Sequence, residues 1–172
     1  VRTTRDGALI VRHDSTLDKT TDGSGLVKDH TLAELRQLDA GSWFDPQYAD
    51  ERIPTLREAL ELCHGKVYLM LDLKEQDAAF NEKLAAEVQA YGDRKRLIFG
   101  VRTATQARQL RSLVSQARQL GLIPGPDMIE EFVAAGVQTI RLRRASSLDP
   151  KILARLRAQK VGFHLGVGLG TE

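Results

Sequence analysis

The run Val67-Tyr68-Leu69-Met70-Leu71-Asp72-Leu73 is almost wholly apolar and carries one acid, Asp72, near its carboxyl end. An apolar run of this kind is what a parallel strand covered on both faces presents. Downstream the pattern alternates. A helix is predicted over residues 78–91, a strand over Leu97–Val101, a helix over residues 105–119 and a short apolar stretch at 120–123. A helix over residues 127–135 and a strand over 139–142 follow; then come a helix with Pro150 in its first turn, ending near Gln159, and a last strand from Val161 to about Val167. Strand alternating with helix across short connections predicts parallel βαβ units.

Upstream, two short β-prone runs, residues 1–4 and 8–13, flank Asp6-Gly7, a pair suited to a tight turn. Residues 15–30 are rich in Thr, Asp and Gly and read as a loop, longer than the usual connection, as functional loops often are. Two capping boxes open helices, Thr31 with Glu34 and Thr55 with Glu58, running to about Leu38 and about Cys63. A closed eight-stranded barrel takes about 250 residues, and this pattern yields only about six strands. The expectation is a single domain over residues 1–172, an α/β fold of the (β/α)8 TIM-barrel type, incomplete because its first strand and helix and its last strand are not present. The opening Val1-Arg2-Thr3-Thr4-Arg5-Asp6 has neither an initiator methionine nor a signal pattern, and reads as the middle of a longer chain.

Composition excludes some classes. The 25 basic residues are nearly matched by 23 acidic ones, scattered along the chain, which is not the concentrated basic stripe of a nucleic-acid binder. Cys63 is the single cysteine, so no internal disulfide forms, a feature compatible with the cytoplasm. No apolar run approaches the roughly 18 residues of a membrane span. Nucleophile elbows, phosphate-binding glycine loops and Cys/His metal spacings are absent. The sequence leaves the oligomeric state open.

His13 and Asp14 lie where the second short strand enters the long loop, the edge at which barrels collect catalytic groups. His13 is then either an acid/base or a strand-end histidine bonded to a neighbouring carbonyl. Asp72 and Lys74 are alternate residues and project to one face. A buried carboxylate needs a partner or a metal, so Asp72 is either a functional acid or half of an ion pair with Lys74. Glu75 and Asp77 belong to the following loop and helix start, and Arg141, Arg143 and Arg144 to solvated faces. Trp43 and Phe44 either line a substrate entrance or pack a helix, and packing is favoured. His30 and His64 read as surface residues, and His164 is left open.

The wording of the first third is specific. Arg5-Asp6-Gly7-Ala8-Leu9-Ile10-Val11-Arg12-His13-Asp14, continuing through Thr20-Thr21-Asp22-Gly23, closely resembles the His-Asp segment of glycerophosphodiester phosphodiesterases, which are phospholipase C-like phosphodiesterase barrels. Leu38-Asp39-Ala40-Gly41-Ser42-Trp43-Phe44, Ile53-Pro54-Thr55-Leu56-Arg57-Glu58 and Leu71-Asp72-Leu73-Lys74 resemble the following blocks, in order. The resemblance implies a barrel that hydrolyses a small-molecule glycerophosphodiester to glycerol 3-phosphate and an alcohol with a divalent cation, Ca²⁺ or Mg²⁺. It implies that His13 is one of two acid/base histidines, that Asp72 stands for a metal-binding acid usually Glu, and that Lys74 lies near the phosphate. The family's His-Arg-Gly segment of the first strand, and the Glu-x-Asp pair that would come just before Val1, are not in this sequence. The alternative is therefore a non-catalytic barrel binding a phosphodiester or polyol phosphate.

Overall fold

A computed structural model describes residues 1–143 and 149–166. They form two compact units, Val1–Val67 with Ala86–Asp93, and Tyr68–Ala85 with the described residues from Arg94 onward.

In the first unit, β1 (Arg2–Thr3) and β2 (Leu9–Ile10) pair antiparallel, with Arg2 opposite Ile10. Gly7 supplies the turn at φ +82°, where a side chain would be strained. Asp6 reaches past the turn to accept from the Leu32 backbone N–H at 3.0 Å, fastening the hairpin to α1 (Leu32–Leu35). The loop over residues 15–30 folds on itself through Leu17 N–H to Gly25 O and Val27 N–H to Ser15 O, both 2.9 Å. That closure buries Leu17 and Val27 with Ile10, Leu35 and Ile53 in one core, so the polar loop is anchored by its two apolar residues. Both predicted capping boxes form, at the starts of α1 and of α2 (Leu56–Cys63). Arg36, at the end of α1, joins that helix to the second box by an ion pair with Glu58.

In the second unit, β3 (Leu69–Asp72), β4 (Leu97–Val101), β5 (Arg118–Gly121), β6 (Thr139–Arg143) and β7 (Gly162–Gly166) form a sheet in sequence order. Every pairing is parallel, as the alternating pattern predicts. Helices α3 (Ala78–Tyr91), α4 (Ala104–Leu113), α5 (Ile129–Ala134) and α6 (Pro150–Ala158) intervene. One face of the sheet carries Leu71, Leu97, Phe99, Val101, Ile140 and Leu142, all buried. Helix α4 covers it at Gln119, whose side chain donates to Ala107 O at 2.9 Å. Helix α5 covers it at Gly121, where a Cβ would come within 2.9 Å of Phe132. The other face holds Met70, Asp72, Ile98, Gly100, Leu120 and Thr139 by strand alternation and register.

Two expectations change. The run over residues 67–73 is not covered on both faces, since Tyr68 is 63% and Met70 47% exposed. The strand lies at an edge of the sheet, and only the row of Leu71 and Leu73 meets the buried layer. The helix expected over residues 105–119 stops at Leu113, and Arg118–Gly121 is strand. Ala117-Arg118-Gln119-Leu120 suits a helix locally, but pairing with strands on both sides overrides that weak preference. The described strands form an open parallel sheet with β3 and β7 at its edges, in line with the α/β class and the incompleteness expected from the sequence. The end of the predicted last strand at Val167, and Arg144, lie outside the described residues.

Candidate functional site

In the first unit, His13 stands just past β2 with its side chain 81% exposed. Arginines fix the backbone around it. Arg2 donates from Nε and Nη2 to the His13 carbonyl at 3.1 and 2.9 Å. The buried Arg12 donates to the carbonyls of Thr16 and Leu17 at 2.7 and 2.9 Å. His13 Nδ1 lies 2.7 Å from Asp14 Oδ1, and that bond is the main reason the Asp14 carboxyl sits below its ordinary value. A carboxylate at Nδ1 favours the proton there, which leaves Nε2 for proton exchange with a ligand.

Trp43 and Phe44 are also in this unit. They are 57% and 71% exposed, so the favoured packing role does not hold. The segment is nonetheless built: Asp39 accepts from the Gly41 and Ser42 backbone at 2.8 and 2.9 Å, and the Trp43 indole donates to Ala40 O at 2.9 Å. Phe44 meets Trp43 edge-on and Tyr48 at a tilt, its ring centroid 5.8 and 5.9 Å from theirs. His64 is exposed, as expected, and its Nδ1 meets Tyr91 O at 3.0 Å.

In the second unit, Asp72 ends β3 and is engaged on both oxygens. Lys74 Nζ lies 2.5 Å from Oδ2, and Arg102 Nη2 lies 2.7 Å from Oδ1. Burial, the largest influence, pushes the Asp72 carboxyl up, but the bonds and charges of Lys74 and Arg102 together hold it below 3.8, so it is ionised. Arg102 is further held by its Nε, which donates to Leu73 O at 2.9 Å. Behind it runs a buried amide network. Gln106 accepts from the Arg102 backbone N–H at 3.1 Å and donates to Glu75 O at 2.8 Å and Asn81 Oδ1 at 3.1 Å. Asn81 in turn donates to Gln109 Oε1 at 2.9 Å. These side chains lock the segment after β3 to the start of α4. Asp77 caps α3 by accepting from Phe80 N–H at 2.9 Å.

The structure thus joins Asp72 and Lys74 and adds Arg102, Gln106 and Asn81, which the sequence reading did not single out. The available signal was slight: Arg102 follows Gly100 by two residues, and Gly100 pairs in register with Asp72. Strand alternation also sets Arg141 and His164, which are register partners, on the face of Asp72. Both are exposed.

These side chains suit an anion better than a divalent cation. Such a cation takes about 6–8 oxygens when it is Ca²⁺. Among the described residues no three His, Cys, Asp or Glu gather into a metal site, and both oxygens of Asp72 face positive charge.

The arrangement defines a class: a parallel α/β domain that concentrates positive charge at the carboxyl ends of its strands, where such folds bind their ligands. The chain belongs to the glycerophosphoryl diester phosphodiesterase family, whose model matches residues 1–124. It is 36% identical over 136 residues to a glycerophosphodiester phosphodiesterase of Caldanaerobacter subterraneus, a match covering 77% of this chain and 56% of that one. Its fold is similar to a crystal structure of glycerophosphodiester phosphodiesterase from Agrobacterium tumefaciens, with a TM-score of 0.79 and 27% identity, covering 99% of this chain and 73% of that one. It is also similar to an Oleispira antarctica phosphodiesterase in complex with the product sn-glycerol-3-phosphate, with a TM-score of 0.78 and 25% identity, covering 96% and 69%. The chain spans 30%, 33% and 56% of the length of three curated relatives.

Proposed function

We propose that the protein hydrolyses glycerophosphodiesters, such as glycerophosphocholine or glycerophosphoethanolamine, to glycerol 3-phosphate and an alcohol. The five-stranded sheet is then part of a (β/α)8 barrel. A phosphodiester resists attack because it is anionic and its alkoxide leaves poorly. His13 supplies the proton to the departing oxygen through Nε2, oriented by Asp14, and general acid help of this kind is worth about 10²–10⁴ in rate. Lys74 offsets the charge of the phosphate. Trp43 and Phe44, held outward by the Asp39 loop, line the substrate entrance in this reading. The divalent cation that the family resemblance implies, Ca²⁺ or Mg²⁺, would supply further charge neutralisation, but Asp72, with both oxygens on Lys74 and Arg102, is not placed to hold it.

Membership of the family over residues 1–124, which include His13, Asp72 and Lys74, carries this reading. A second reading, a non-catalytic domain that binds a phosphodiester or polyol phosphate, is favoured by one observation: Asp72 is already neutralised by two cations. Incubating the full-length protein with glycerophosphocholine separates the two. Release of glycerol 3-phosphate, abolished by chelator, is expected; binding without release supports the second reading. Among the described residues no helix is long and apolar enough to cross a membrane.

A further inference from the structure

The Asp72–Lys74–Arg102 triad differs from what the resemblance implies for Asp72. Three facts bear on it. Both carboxylate oxygens are taken by cations at 2.5 and 2.7 Å. Arg102 is held in place at two points of its guanidinium, Nε on Leu73 O and Nη2 on Asp72, which leaves Nη1 without a partner among the described residues. Its backbone is gripped by Gln106, a side chain only 1% exposed, whose own amide is bonded to Glu75 O and Asn81. Burying polar amides is costly unless each is satisfied, so this network is a purpose-built brace for the segments carrying Lys74 and Arg102. The three charged side chains sum to one positive charge, the wrong sign for a cation site and the right one for a phosphate. A guanidinium fixed along one edge still offers N–H donors in a plane, the geometry that matches phosphate oxygens.

We propose that Arg102 is a phosphate-binding residue of this protein, and that Asp72 positions Arg102 and Lys74 as an anion clamp rather than ligating a cation. The inference rests on the glycerophosphodiester reading for the identity of the ligand, but not for its charge. It leaves the family's divalent cation to be held without Asp72.

The test uses the full-length protein and its Arg102→Ala, Arg102→Lys and Asp72→Asn variants, each first shown by thermal unfolding to be folded. Calorimetric titration is run with inorganic phosphate, with glycerol 3-phosphate and with Ca²⁺. Arg102→Ala is expected to weaken both phosphate ligands by about tenfold or more, the usual worth of a charge-assisted hydrogen bond. Arg102→Lys should recover part of that loss, and Asp72→Asn should leave Ca²⁺ affinity within about twofold. Unchanged phosphate affinity in Arg102→Ala overturns the proposal, as does a tenfold or greater loss of Ca²⁺ affinity in Asp72→Asn. Wild-type protein that binds phosphate but not glycerol 3-phosphate counts against the substrate reading while leaving the clamp testable through phosphate. Wild-type protein that binds neither overturns the clamp as well.

Discussion

His13 carries the heaviest chemical assignment and little packing: it is exposed, and its contacts are the bond to Asp14 and the hold of Arg2 on its carbonyl. Replacing it removes a reactive group rather than a core element. His13→Ala is therefore expected to lower turnover of glycerophosphocholine by about 10²–10⁴ while shifting the unfolding midpoint little. Paired kinetics and thermal melts check both halves. Asp72 makes a different prediction. Its folded-state value lies below the ordinary 3.8 because Lys74 and Arg102 outweigh the effect of burial. The unfolded chain then binds this proton more readily, so stability rises with pH through the acid range; the contribution is complete above about pH 4 and is lost as pH falls through the folded-state value. Urea midpoints measured from pH 2 to 6 should fall less steeply in Asp72→Asn than in wild type, and an identical acid limb contradicts the triad. Lys74 was legible in sequence because it sits two residues from Asp72, just past the end of β3. Arg102 was not, because only strand pairing brings a residue thirty positions away onto that carboxylate.

Elements announced by local chemistry were read well. Thr31/Glu34 and Thr55/Glu58 each place a hydroxyl and a carboxylate where a helix start needs them, and both boxes close. Thr55→Ala should cost about 1 kcal/mol in denaturant unfolding, the usual worth of a lost cap. The segment over residues 114–119 was misread because its residues favour a helix, whereas strand β5 is imposed by neighbours on both sides. The amide network is likewise a tertiary object. Gln106→Ala strips partners from the Arg102 backbone, Glu75 O and Asn81 at once. It should destabilise by about 1–3 kcal/mol. Combined with Asn81→Ala the losses should be less than additive in a double-mutant cycle, since both break one network; strict additivity would mean the two amides act independently.

At the scale of the molecule, the alternation of strand and helix foretold a parallel α/β sheet, and all five strands follow it. What the pattern could not show is how much of each strand is covered. An apolar run reads the same at a sheet edge as in its middle, which is why Met70 and Tyr68 look like core in the sequence yet are exposed. The site shares this limit: its residue types were visible one by one, but the charge balance around Asp72 depends on a partner supplied by the next strand. The most direct measurement is a crystal structure of the full-length protein with glycerol 3-phosphate bound. Phosphate oxygens are expected within about 3 Å of both Lys74 Nζ and an Arg102 guanidinium nitrogen. A phosphate bound beyond hydrogen-bonding reach of both would contradict the anion clamp.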